Sequence, residues 1–170
     1  GRPSTESDAP FFVEEVRQHL EETYGAKQLY ENGLAVYTSL DLKLQQAAER
    51  ALDDGLRRVD KRRGFRKPRN VVTEQTTIDK YNDEAWKRTP TEGVIVPALV
   101  TSIEGGRAEF RVGSLKGALS RAEFQWTNKT NASFLKPGDL VSLRVTAVDG
   151  AAGTIAGTLD QEPQIEGAVL

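Results

Sequence analysis

Residues 93–159 read GVIVPALVTSIEGGRAEFRVGSLKGALSRAEFQWTNKTNASFLKPGDLVSLRVTAVDGAAGTIAGTL, and their texture decides the fold. Gly93 to Ile103 predicts a strand with Val94, Val96, Ala98 and Val100 on one face. Pro97 has no N–H to give to a ladder, which places it at an edge or a bulge. Glu104-Gly105-Gly106 is a hairpin turn. Arg107 to Val112 is a second strand, its Ala108, Phe110 and Val112 alternating inward, and Gly113 to Leu119 is a short third. Residues 120–136 form a longer connection, and Pro137-Gly138-Asp139 turns the chain into a fourth strand, Leu140 to Val148. Its Val141, Leu143, Val145 and Ala147 share a face. Asp149 to Gly153 turns it again into a fifth strand, Thr154 to Leu159. Five short strands with tight turns and one long connection predict a small closed barrel.

Upstream the pattern is helical. Phe12, Val13, Val16, Leu20 and Tyr24 recur on one helical face over Pro10 to Tyr24, with Asp8 as N-cap and Gly25 as stop. Residues 1–9 are polar and expected to be disordered. Leu34 to Leu40 (LAVYTSL) reads as a strand. Asp41 caps a second helix whose Leu44, Ala47, Ala48, Ala51, Leu52, Leu56 and Val59 keep a 3.6 period to near Gly64. Residues 65–92 are polar and predict a partly ordered connector, with a helical turn over Asp79 to Lys87 anchored by Tyr81 and Trp86. The expected class is α+β: a helical arm of two helices and one short strand over 10–64, a connector over 65–92, and the barrel over 93–160.

Composition excludes several chemistries. The 170 residues carry formal charge −2, no cysteine and one histidine. There is accordingly no disulfide framework, zinc ribbon, thiol nucleophile or histidine-rich metal site. No apolar run approaches the 18 residues of a membrane span. The amino terminus lacks both an initiator Met and the apolar core of a signal peptide, and so predicts an internal piece of a longer protein. Charge is uneven: Arg57, Arg58, Lys61, Arg62, Arg63, Arg66, Lys67 and Arg69 stand against Asp60 alone. Such a cluster serves either as a phosphate or anionic-lipid contact or as a solvated helix end favoured by the helix dipole.

The order of the β elements, with a Gly-led first strand, a Gly-Gly hairpin, Lys136-Pro137-Gly138-Asp139 and then Val148-Asp149-Gly150, resembles an OB fold of the S1-like type. The flanks resemble something more particular. PFFVEEVRQHLEETY (10–24), LYENGLAVYTSLD (29–41), LQQAAE (44–49) and LDQEPQIEGAV (159–169) are similar to phrases of the class A penicillin-binding proteins, bifunctional bacterial cell-wall synthases. In that family these phrases lie between the membrane-anchored glycosyltransferase domain and the transpeptidase domain. An OB-like insert commonly separates them, so residues 161–170 would open a truncated transpeptidase sheet. Leu42 stands where the family often has Pro, and Arg66-Lys67-Pro68 replaces Arg-Gly-Pro.

The resemblance brings no active site. Ser133-Phe134-Leu135-Lys136 matches the family's Ser-x-x-Lys literally, but Pro137-Gly138 follows and no helix can hold the geometry. Lys129-Thr130-Asn131 lacks the Gly of Lys-Thr-Gly. The carboxylate pairs at Asp53-Asp54 and Asp79/Asp83-Glu84 read as helix-surface charge, as does His19. The sequons at Asn128 and Asn131 read as polar loop. Catalytic, metal and cofactor residues are expected to be none. Trp126, Arg121 and Phe124 in the long connection are the candidate partner contacts, because Trp and Arg dominate interface hot spots. The eight basic residues are a candidate basic contact.

The resemblance implies a non-catalytic spacer and docking module of a peptidoglycan synthase. It would lie on the periplasmic face of the inner membrane, held there through the parent's anchor. Its partners would be the parent's glycosyltransferase and transpeptidase domains and a regulatory lipoprotein or cell-wall protein. The alternative is an S1-like single-stranded RNA binder using Arg57 to Arg69. Residues 92–170 hold nine acidic against seven basic groups, which opposes a polyanion. A lipid contact through the same cluster is a third reading.

Overall fold

The structure, a computed structural model, describes residues 33–164, with side chains from Asp41 onward. The chain divides into two compact units between Asp53 and Asp54. The expected helix at 10–24, His19 and most of the closing phrase at 165–170 lie outside the described residues.

Helix α1 spans Gly33–Arg62. The strand expected at 34–40 and the helix start expected at Asp41 are both corrected: this stretch is helix throughout. The physical reason is in the sequence. Between Leu34 and Asp54 there is no Pro or Gly to break a helix, and β propensity is a weak prior without a partner strand to pair with. A lone strand leaves its backbone polar groups unpaired, whereas a helix satisfies them internally. Gly64, with φ of +96°, ends the run in the left-handed region that glycine tolerates.

Most of the apolar stripe that identifies α1 is exposed, with Leu44 and Leu56 half-buried. Ala47, Ala48, Ala51, Leu52 and Val59 are exposed, while Arg57 and Asp60 are buried. The end of the helix from Asp54 on belongs to the second unit, and its polar face is the one buried there.

The greater part of that unit is the barrel. Strands β1 (Arg69–Asn70), β2 (Ile95–Glu104), β3 (Arg107–Val112), β4 (Leu115–Leu119), β5 (Asp139–Asp149) and β6 (Thr154–Asp160) form one sheet in the order β1-β5-β2-β3-β4-β6, closed by a β5–β6 pairing. The five strands expected from the sequence are present, and β1 is a short addition. The two-residue loop at Gly105-Gly106 has positive φ at both positions, which sets the tight β2–β3 hairpin. Bulges near Thr101 in β2 and Thr146 in β5 bend the two longest strands around the barrel. Closure occurs where β4 runs parallel to β6 at Lys116 and Thr154, with the Lys116 amide donating to the Gly153 carbonyl at 3.0 Å. Gly117 permits it: a Cβ there would overlap the Ile155 carbonyl oxygen and the Phe110 ring.

Pro97 sits as expected. β3 pairs with β2 only from Leu99 onward, so Pro97 lies on a stretch open on that side. Phe110, Leu119, Leu143, Val145 and Leu159 fill the interior, and Phe124 plugs one end from helix α2 (Arg121–Phe124). A capping box of Ser120 and Glu123 starts α2. Burial pushes the Glu123 carboxyl up, but hydrogen bonds from Ser120 outweigh it and hold the group below the ordinary range.

Candidate functional site

Arg57, Asp60 and Lys61 follow one another at helical spacing and share a face of α1. Arg57 and Lys61 meet Asp160, the last residue of β6, which is 1% exposed. Lys61 Nζ reaches Asp160 Oδ2 at 3.2 Å, and Arg57 Nη1 and Arg144 Nε stand 3.5 Å from its two oxygens. The Gln161 amide donates to Asp160 Oδ1 at 2.8 Å. Arg57 also donates to the Gln161 carbonyl at 3.0 Å and to both Glu162 carboxylate oxygens.

Asp60 answers in the opposite direction. Arg66 grips its two oxygens at 2.7 and 2.9 Å, Gln161 Nε2 donates at 2.8 Å and the Gln164 amide at 3.2 Å. Arg66 closes the joint by donating from Nη2 to the Glu162 carbonyl, while its amide donates to Gln161 Oε1 at 3.1 Å. An aromatic layer lies alongside. Phe65 packs edge-on against Trp126 and Phe134 at 5.9 and 5.1 Å between centroids. Trp126 Nε1 donates to the Leu159 carbonyl at 2.7 Å, with Lys61 over the ring at 5.2 Å. Among the described residues every buried side-chain polar atom has a partner.

The chain entering the barrel at 63–70 and the chain leaving it at 160–164 are therefore locked side by side against the end of α1. Buried charge is held here because each ion is both paired and hydrogen-bonded.

This arrangement re-sorts the basic cluster. Arg57, Lys61 and Arg66 are bound inside the joint, so they do not offer their charge outward. Arg58, Arg62, Arg63, Lys67 and Arg69 are exposed. Of the candidate partner contacts, Arg121 is exposed, Trp126 is half-buried with its indole N–H engaged, and Phe124 is fully buried. Phe124 is corrected to a core residue: packing the barrel end removes its ring from solvent, where hydration of an apolar surface is costly. Ser133 lies in a 3-10 turn, Ala132–Phe134, and no hydrogen bond joins it to Lys136. Among the described residues no cluster of His, Cys, Asp or Glu could hold a metal ion, and no helix is long and apolar enough to cross a membrane.

Asp60, Arg144, Asp160 and Gln161 are the residues that sequence reasoning missed. For Asp60 a signal existed: one acid among eight bases is a natural internal counter-ion. The Arg66 guanidinium holds its carboxyl below the ordinary aspartate range, against the effect of burial, with help from Gln164 and Gln161. A carboxyl lowered in the fold adds stability above its unfolded pKa of about 3.9, and that contribution is lost as pH falls through the lower folded value. Urea midpoints measured from pH 7 down to pH 2 should fall below about pH 4, and Asp60→Asn should flatten that limb. An unchanged acid limb in the variant would contradict the assignment.

A second structured region covers the outer face of β2 and β3. Residues 71–92 cross it as a strap. Arg111 Nη2 donates to the Ile78 and Tyr81 carbonyls, each at 2.6 Å, and Nη1 to the Gly113 carbonyl at 3.2 Å. Trp86 stacks on the same guanidinium at 4.9 Å, and its Nε1 donates to the Pro97 carbonyl at 2.8 Å. Trp86 belongs to a 3-10 turn, Glu84–Lys87, capped by Asp83. In OB barrels oligonucleotides bind on the second and third of the five strands, here β3 and β4; the strap's side-chain contacts fall on β2 and β3, at Pro97 and Arg111.

No family model matches the chain. In sequence it is similar to penicillin-binding protein 1A of Rickettsia felis, 32% identical over 169 residues covering 95% of this chain and 20% of that protein. Penicillin-binding protein 1A of Escherichia coli is 36% identical over 109 residues, 59% of this chain and 12% of that protein. The crystal structure of penicillin-binding protein 1A from Haemophilus influenzae superposes with a TM-score of 0.51 at 24% identity, covering 91% of this chain and 22% of that one, a likeness of fold. The chain spans about one fifth of the length of the Rickettsia relative.

Proposed function

Because this chain matches a segment of the class A penicillin-binding proteins, we propose that it is the non-catalytic spacer and docking module of a bacterial peptidoglycan synthase. Its neighbours in the parent chain are the glycosyltransferase and transpeptidase domains, on the periplasmic side of the inner membrane. The observation that carries this reading is the joint: one buried charge network binds the incoming helix, the barrel and the outgoing segment, so the barrel is oriented by the chain that brackets it. A barrel on a loose tether would report nothing to its neighbours. A barrel clamped through Asp60 and Asp160 passes a push on its surface to both flanking segments. The exposed rim around Arg121 is the surface this reading offers to a regulatory lipoprotein or cell-wall protein. Against the RNA-binding alternative stand the three cations of the basic cluster that are held in the joint, Arg57, Lys61 and Arg66.

Two measurements test this. The chain incubated with fluorescent penicillin should stay unlabelled, and covalent labelling would overturn the non-catalytic reading. In the full-length synthase, Asp160→Ala should leave penicillin acylation intact while changing the ratio of cross-links to glycan polymerised. An unchanged ratio would sink the positioning role.

A further inference from the structure

The ion pairs of the joint leave a remainder of positive charge. Asp60 is held by Arg66, Asp160 by Lys61 and Arg144, Glu162 by Arg57, and Asp54 by Arg144 at 2.8 Å. Each of these acids is thus already matched by a cation of the joint. Arg62, Arg63 and Lys67 are exposed and have no side-chain hydrogen bond or ion pair among the described residues. Arg58 is exposed too, and its Nε donates only to the Asp54 carbonyl, at 3.3 Å, so its charge is unpaired. Arg69, by contrast, is engaged with Tyr81.

These four cations adjoin exposed aliphatic surface. Val59 stands one turn before Arg62 and Arg63, and Leu52 two turns before Val59; they are 53% and 63% exposed. Arg57, Asp60 and Lys61 occupy the other side of the helix, which is the side bound in the joint. The outward side of the end of α1 therefore carries aliphatic groups flanked by arginines. On an anionic bilayer such a face sets its aliphatic carbons at the headgroup boundary while the long basic side chains reach the phosphates. A single-stranded nucleic acid calls for rings on which bases can stack. Every described aromatic ring is buried or half-buried, and the exposed neighbours here are aliphatic. We propose that the outward face at the end of α1, with Leu52, Val59, Arg58, Arg62 and Arg63, and Lys67 on the neck, docks onto an anionic phospholipid surface. This goes beyond the spacer reading and does not depend on it.

The probe is a vesicle of phosphatidylcholine with about 30% phosphatidylglycerol. The wild-type chain should co-sediment with it at low salt, stay in the supernatant with pure phosphatidylcholine, and be released as salt rises to about 0.5 M. Arg62→Glu with Arg63→Glu should weaken binding at least about tenfold, and Val59→Ser should weaken it several-fold. Arg121→Glu with Lys129→Glu changes the net charge by the same amount on the barrel rim and should leave binding within about twofold of wild type. All five positions are exposed, and circular dichroism checks that each variant is folded. Equal losses from the two charge reversals would mean that the bilayer senses only net charge, and would overturn the proposal. So would a wild-type chain that ignores the anionic vesicle at low salt or binds pure phosphatidylcholine equally well. Displacement by inorganic phosphate at about 10 mM, which screens little, would assign the cations to a small anion instead. Self-association lost in Val59→Ser, or single-stranded RNA held at the same salt in place of the vesicle, would likewise overturn it.

Discussion

Asp160→Ala should cost the chain about 3–5 kcal/mol, the scale of breaking a buried ion pair by removing one partner. The carboxylate is 1% exposed, and Lys61 and Arg144 lose it together. Arg57 retains Glu162 and the Gln161 carbonyl, which sets the loss below that of an orphaned buried arginine. Urea unfolding followed by tryptophan fluorescence reads the effect, since Trp126 borders the joint. Asp160→Asn should cost less, because its side-chain oxygen can still accept from the Gln161 amide. A double-mutant cycle with Lys61→Ala should return a coupling of order 1 kcal/mol, as contacting charges do. Additive losses would show that Asp160 acts through the β6 backbone and not through the network.

Gly117→Val should be of comparable size by a different route. The added atoms would meet the Ile155 carbonyl oxygen and the Phe110 ring. A ring can rotate away, but a strand carbonyl cannot move without opening the β4–β6 contact and the Lys116–Gly153 hydrogen bond. Overpacking a core costs about 1–3 kcal/mol when side chains absorb it, and more when backbone must. For a domain of this size the melting temperature should fall by about 10 °C. Gly150→Ala, where a new Cβ meets nothing within 4 Å, is the control that should leave it near the wild-type value. Equal behaviour of the two variants would mean the barrel does not close through β4.

The barrel was legible because its signals are local. Alternation in Arg107–Val112 names Phe110 as core, Gly105-Gly106 marks a hairpin, and Pro97 marks an open stretch; each depends only on near neighbours in the chain. The joint was illegible because its partners are about a hundred residues apart, as Asp60 is from Gln161. Helix periodicity failed in an instructive way. The stripe through Leu52 and Val59 is apolar and regular, 63% and 53% exposed respectively, yet Arg57 and Lys61 on the opposite side make the contact. A periodicity rule assumes that the apolar face seeks the nearest core, and here buried charge won. Leu34 to Leu40 misled for a related reason. β-Branched and aromatic composition marks a strand only where a second strand waits beside it.

Arg66 donates both to Asp60 on the incoming side and to the Glu162 carbonyl on the outgoing side, so the two necks of the barrel stand within one side chain of each other. A peptide of a few residues could bridge that gap with the whole barrel removed. Insertion or removal of the barrel at these necks would therefore leave the two flanking segments where they are.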